Sequence, residues 1–136
     1  MSKVAIVFWS ATGNTEAMAN AIAEGARGAG AEVDFFSASE FEVENIASYS
    51  AIAFGCPSMG VEELEETEFQ PMWDKVKDSL GGVKVFLFGS YGWGNGEWMD
   101  SWKDSTSANV VETYICNSTP GDAEEAACRE LGAKMA

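Results

Sequence analysis

Short runs that are apolar on both faces alternate along this chain with longer amphipathic stretches, and few architectures accommodate that pattern. Residues 4–8 (VAIVF) and 51–54 (AIAF) contain no polar side chain, and residues 83–88 (VKVFLF) contain a single lysine. A strand that is apolar on both sides has to be covered on both sides, as in a parallel sheet packed under helices. Residues 32–36 and 110–116, rich in valine and aromatic side chains, predict two further strands.

Helical spacing fills the intervals. From residue 14 to 29, Met18, Ala21, Ile22 and Gly25 recur at steps of three and four. Gly28 and Gly30 are the expected stop, because glycine tolerates the left-handed conformation that ends helices. Residues 72–80 and 98–107 predict two more helices. Asp122 is the expected cap of a last one, with Glu124 and Glu125 in its first turn and Lys134 in its last. Strictly alternating strands and helices predict one α/β domain over residues 1–136, a doubly wound parallel sheet with helices on both faces and right-handed crossovers. Ligands of such sheets sit beyond the carboxyl ends of the strands, where the strand order reverses. The loops that follow strands are therefore where function is sought.

The first such loop, Ser10-Ala11-Thr12-Gly13-Asn14-Thr15, runs straight into a helix N-terminus. Hydroxyls, an amide and a glycine converge where the helix dipole already favours an anion, which describes a phosphate nest without a cation. An ordinary Ser/Thr-rich helix cap is the other reading of the same residues. The loop is neither a Walker A nor a G-x-G-x-x-G dinucleotide loop, since both patterns are absent. The second loop is Gly55-Cys56-Pro57-Ser58-Met59-Gly60-Val61-Glu62, and the third is Gly89-Ser90-Tyr91-Gly92-Trp93-Gly94-Asn95-Gly96. A tryptophan set among glycines on a loop suits a flat ligand, and Met59 is placed to cover the ligand's other face. Phosphate at one loop and a planar ring between the other two amount to a mononucleotide carrying a ring system.

Charge and composition remove most competing functions. The chain has 22 acidic and 8 basic side chains and no histidine. A net charge of −14 repels nucleic acid and anionic membranes, and favours partners with a basic docking patch. Without histidine there is no Ser-His-Asp or Cys-His nucleophile and no His-ligated metal. Cys56, Cys116 and Cys128 are odd in number and widely spaced, so buried thiols in a reducing cytoplasm are expected. No stretch has the pattern of a secretory leader or approaches the twenty apolar residues of a membrane span. A receiver-type signalling domain would need an aspartate where Gly55-Cys56 stands, and a low-molecular-weight phosphatase would need an arginine following its loop cysteine; both are missing.

Three segments together carry a resemblance to a known family: residues 9–16 (WSATGNTE), the Met59-Gly60 turn, and residues 89–94 (GSYGWG). In this order, and over essentially the whole chain, the sequence resembles the short-chain flavodoxins of the clostridial type. The resemblance implies five strands in the order 2-1-3-4-5 and a monomeric electron carrier holding FMN non-covalently. It further implies that the side chains of Ser10, Thr12, Asn14 and Thr15, with the backbone N–H groups of Ala11 and Gly13, bind the FMN phosphate. Trp93 and Met59 would stack on the two faces of the ring. Backbone groups from Ser90 through Tyr91 to Gly92 would meet its pyrimidine edge beside Gly94, with Glu62 near N3. Ser58 and Asn117 would lie near the flavin and its ribityl chain. The Gly60 carbonyl would accept the N5 proton of a neutral semiquinone, and the acidity of the chain would disfavour the anionic hydroquinone. The implied carrier cycles mainly between those two states at low potential. Trp9 would flank the phosphate loop or simply pack. The acidic run at residues 62–68 would dock basic surfaces of reductases and ferredoxin-dependent oxidoreductases. An FMN-dependent quinone or nitro reductase on the same fold is the alternative reading, and a flavin-storage or sensing module is a third.

Overall fold

The computed structural model describes residues 3–9, 13–58, 64–92, 96–117 and 119–136. Five parallel strands form its centre: β1 (Lys3–Phe8), β2 (Glu32–Ser37), β3 (Ala51–Gly55), β4 (Lys84–Tyr91) and β5 (Asn109–Asn117). Their spatial order is β2-β1-β3-β4-β5, as expected. Side chains alternate between two cores because successive strand residues point to opposite faces. Val4, Ile6, Ala51, Ala53, Phe86 and Phe88 pack under α1 (Asn14–Gly28) and α4 (Asp122–Met135). Ala5, Val7, Ile52, Phe54, Val85 and Leu87 pack under α2 (Phe69–Val76) and α3 (Glu97–Asp104).

The second face is built largely from aromatic rings. Trp73 is fully buried, edge-on to Phe54 at 5.1 Å and to Trp102 at 5.8 Å between ring centroids. Its indole N–H donates to Ser105 Oγ at 2.9 Å, so the polar edge of the ring is satisfied inside the core.

Several element boundaries depart from expectation for physical reasons. Gly28 is the last helical residue of α1, and Gly30 alone provides the left-handed stop, at φ 96°. Helix α2 begins at Phe69, before the expected residue 72, because Glu65 caps its first turn through side-chain acceptance of the Glu68 and Phe69 N–H groups. Asp122 does not cap α4 but begins it; Gly121 takes the cap position, and Glu124 Oε1 accepts the Gly121 N–H at 2.9 Å. Two 3-10 segments, Ala38–Glu40 and Val43–Ser48, cover the second face between β2 and β3 and have no counterpart in the sequence reading. The register of β5 slips by one residue opposite Val85 and Phe86, leaving Val111 as the unpaired bulge residue and exposed.

Glycine lets α1 and α4 touch backbone to backbone. A Cβ on Gly25 would fall on the Arg129 carbonyl, and one on Gly132 on the Ile22 carbonyl. At Gly28 the same atom would meet nothing within 4 Å among the described residues. Gly25→Ala gains helix propensity of up to about 1 kcal/mol, but overpacking against a backbone that cannot rotate away costs about 1–3 kcal/mol. Net destabilisation is the expected result in urea unfolding, whereas Gly28→Ala should stabilise by about 0.5–1 kcal/mol.

Candidate functional site

All the loops singled out in the sequence leave the sheet at one pole, the carboxyl end of its strands. Chain leaves β1 towards β2 on one side and β3 towards β4 on the other, so a crevice opens between the two central strands. Past the strand ends the sheet pairing continues: Trp9 N–H donates to Gly55 O at 3.0 Å, Cys56 N–H to Phe88 O at 3.1 Å and Ser58 N–H to Ser90 O at 2.9 Å. The first, second and third loops are thereby held side by side.

At the first loop, Gly13 stands immediately before α1 with φ 91°, a conformation that β-carbon sterics deny to most residues. Its carbonyl accepts the Ala17 N–H at 2.9 Å and so begins the helix. Thr15, 1% exposed, brings Oγ1 to 3.2 Å from Ser90 Oγ, joining residues 75 positions apart. Asn14 Oδ1 accepts from Thr119 Oγ1 at 3.2 Å, and Asn117 Nδ2 donates to the Tyr91 carbonyl at 3.5 Å. The turn after β5 is thus drawn into the same cluster. Tyr91 is half-buried against Trp98, with ring centroids 5.5 Å apart.

The third loop can lie so close to the second because Gly89 has no side chain; a Cβ there would strike the Cys56 carbonyl. Above Gly13 and Gly92, by contrast, an added Cβ would meet nothing within 4 Å among the described residues. The described part of the pole is therefore tightly cross-linked at its base. Hydroxyl, amide and backbone groups with no basic side chain among them suit a phosphate ester held by neutral donors.

The structure brings together Gly13, Asn14, Thr15, Ser58, Ser90, Tyr91, Gly92 and Asn117 of the sequence-selected residues. Ser10, Ala11, Thr12, Met59, Gly60, Glu62, Trp93 and Gly94 lie outside the described residues. Trp9 is half-buried and packs against the aromatic core of the second face. Thr119 was missed by the sequence reading, and nothing in its local pattern sets it apart from any loop threonine.

The acidic run is not one solvated face. Glu66 and Glu68 are exposed, but Glu65 is 4% exposed and turned inward. Its carboxylate accepts the N–H groups of Thr67 at 2.7 Å, Glu68 at 2.7 Å and Phe69 at 2.9 Å, together with the Thr67 hydroxyl. Burial alone would raise this carboxyl, but the Thr67 hydroxyl and the three backbone donors outweigh it and hold it below the usual value.

The cysteines are buried and free of disulfides. Burial pushes the Cys56 and Cys128 thiols up to about 12 and raises Cys116 as well, which leaves all three poor nucleophiles at neutral pH. No helix among the described residues is long and apolar enough to cross a membrane.

Comparison with known proteins agrees with this arrangement. A family model described as flavodoxin matches residues 6–131. The chain is 49% identical over 132 residues to a flavodoxin of Megasphaera elsdenii, covering 95% of each chain. It is 40% identical over 134 residues to a flavodoxin of Clostridium beijerinckii, covering 96% of this chain and 97% of the other. Its fold is similar to the solution structure of two-electron reduced Megasphaera elsdenii flavodoxin, with a TM-score of 0.87 over 96% of each chain.

Proposed function

The chain belongs to the flavodoxin family, and from that premise we propose that its three-loop pole holds FMN through the residues cross-linked there. As a flavodoxin it is an electron-transfer protein using FMN, not an enzyme that turns over a substrate of its own. Bound FMN supplies redox chemistry in single-electron steps. The residues of this chain supply the binding, the orientation and the electrostatic setting.

The observation that carries the site reading is the buried Thr15–Ser90 contact, which unites the first and third loops at the carboxyl ends of β1 and β4. In this reading Gly13, Asn14 and Thr15, continuing from Ser10, Ala11 and Thr12, take the phosphate at the head of α1. Ser90, Tyr91 and Gly92 present backbone to the edge of the ring. Ser58 and Asn117 flank the ribityl chain. Met59 and Trp93 cover the two faces, with Gly60, Glu62 and Gly94 completing the loops around them. Neutral donors would leave a bound phosphate's charge uncompensated, giving the site these residues form a standing negative potential.

The partner reading follows from where charge lies. Glu16, Glu97, Asp100, Asp122, Glu124 and Glu125 occupy the first turns of α1, α3 and α4, and Glu66 and Glu68 precede α2, so the cofactor pole is acidic. Redox proteins with a basic surface, reductases and ferredoxin-dependent oxidoreductases, are the partners this pole fits. The chain works as a cytoplasmic monomer of a single domain.

Stepwise anaerobic reduction followed by visible absorbance tests the reading. One FMN per chain, with the two electrons entering at separate potentials and a long-wavelength band greatest midway, is expected. Direct passage to the fully reduced form would instead indicate a two-electron reductase. Failure to take up FMN at all would overturn the site assignment.

A further inference from the structure

At the carboxyl ends of β1 and β2, aromatic side chains from both faces of the sheet meet around a cavity. Phe8 and Ser37 end the two strands and are partners across the pair. Successive strand residues point to opposite faces, so Phe8 and Phe35 come from one side while Trp9 and Phe36 come from the other. Phe8 and Phe35 meet edge-on with ring centroids 6.3 Å apart, and Phe36 is held edge-on to Phe41 at 5.1 Å and Tyr49 at 6.0 Å. With Ser37, Glu40 and Glu68 these four side chains line a cavity of about 360 Å³. Phe35 is 40% exposed, and Glu40 and Glu68 are exposed at its rim. Ser37 donates to Glu40 Oε1 from its N–H at 3.1 Å and its hydroxyl at 2.8 Å, which fixes that carboxylate and holds it below the usual carboxyl value. Among the described residues, neither carboxylate forms an ion pair.

We propose that this cavity seats an arginine side chain of the basic redox partner, its guanidinium lying on the rings and paired with Glu40 and Glu68. The proposal rests on the basic-partner reading above and names the contact that anchors it. Rings present their negative faces to cations, and two rim carboxylates add to that attraction while excluding an anion. A bare metal ion would find only two carboxylates, because aromatic walls offer no oxygen ligands. A neutral apolar group would fill the volume but leave both charges unanswered. Arginine suits the lining better than lysine: its planar guanidinium stacks on rings, carries a fork of donors for carboxylates and is more weakly hydrated. Within this chain the Phe35 ring already takes a guanidinium, that of Arg27 at 5.6 Å from the centroid, and Arg27 does not line the cavity. The volume is at the lower end of the roughly 300–1,000 Å³ of ligand pockets, room for one long side chain.

The test titrates the FMN-loaded protein with N-acetylarginine methylamide, followed by NMR at the Trp9 indole and the Phe8, Phe35 and Phe36 rings. Saturable shifts at these residues are expected with the arginine probe and not with its uncharged citrulline isostere. Glu40→Gln, which keeps an acceptor for Ser37, should weaken the binding about three- to fivefold. Phe35→Leu, which keeps apolar area but removes the ring, should weaken it about threefold. Glu44→Gln removes the same charge nearby but outside the cavity, and should weaken it less than about 1.5-fold. At matched ionic strength, the arginine probe should slow electron transfer to a basic redox protein in proportion to the fraction of cavities it fills, and the lysine analogue should slow it less. No saturable shifts, or equal shifts from citrulline, would overturn the cavity as an arginine site. Equal weakening by Glu40→Gln and Glu44→Gln would overturn it in favour of diffuse acidity. A filled cavity with an unchanged rate would overturn its role in docking. Binding of the probe is read with no partner present, so failure of the cavity is distinguishable from failure of the basic-partner reading, which the salt dependence of the rate reports on its own.

Discussion

Glu65→Ala should destabilise the protein by about 2–4 kcal/mol at pH 7, a large fraction of the stability of a domain this size. The carboxylate serves three backbone N–H groups at the start of α2, all drawn into a partly or fully buried turn. Losing a helix cap alone costs about 0.5–2 kcal/mol, and the remainder comes from buried donors left without a charged acceptor. Glu65→Gln retains one acceptor oxygen and should lose roughly half as much. The effect has a definite pH dependence. Burial would raise the carboxyl, but its hydrogen bonds lower it below the usual value. A carboxylate lowered on folding stabilises the native state above its unfolded value of about 4.3, and that contribution disappears as pH falls through the folded value. The gap between wild type and Glu65→Gln in urea unfolding should therefore be full at neutral pH and narrow steadily below about pH 4. A gap that stays constant into acid would mean that the charge of Glu65 contributes nothing to the cap.

The sheet was legible because its signal is strong: a run such as VAIVF, with no polar residue, has only a doubly covered strand to become. Helix starts were harder to read. The beginning of α2 depends on a glutamate in an acidic run, where five neighbouring carboxylates look alike and only folding selects the one that turns inward. The 3-10 segments between β2 and β3 were invisible because they have no repeating period; Phe41, Ile46 and Tyr49 are buried by position over the sheet, not by a face of their own. At the pole, the loop motifs gave away Gly13, Thr15 and Ser90, since each is a small or hydroxyl-bearing residue directly beside a strand or helix end. Thr119 was not legible, because its role lies in reaching Asn14 across 105 positions, a distance no local pattern encodes.

Reversing charge at the pole where the strands end should slow electron transfer to a basic partner far more than the same reversal at the other pole. The basic side chains are segregated by the fold itself. Crossover helices run against the strands, so helix C-termini and strand N-termini share one end. Lys3 and Lys84 begin β1 and β4, while Arg27, Lys75, Lys103 and Lys134 lie in the last turns of the four helices, with Lys77 just beyond α2. The four in the last helical turns obey the preference for cations at helix C-termini, and together with the strand-start lysines they leave the opposite pole acidic. Steering through such a field raises association rates by about 10–1000-fold at low salt and fades as the Debye length shrinks. Glu66→Lys with Glu68→Lys should lower the second-order rate with a basic redox partner about tenfold at low ionic strength. Asp78→Lys with Asp104→Lys changes the net charge identically but at the far end, and should lower it less than about twofold. The difference between the pairs should close by roughly 0.5 M salt, where only contact distances matter. Equal slowing by both pairs would mean that net charge, and not its placement over the crevice, governs encounter.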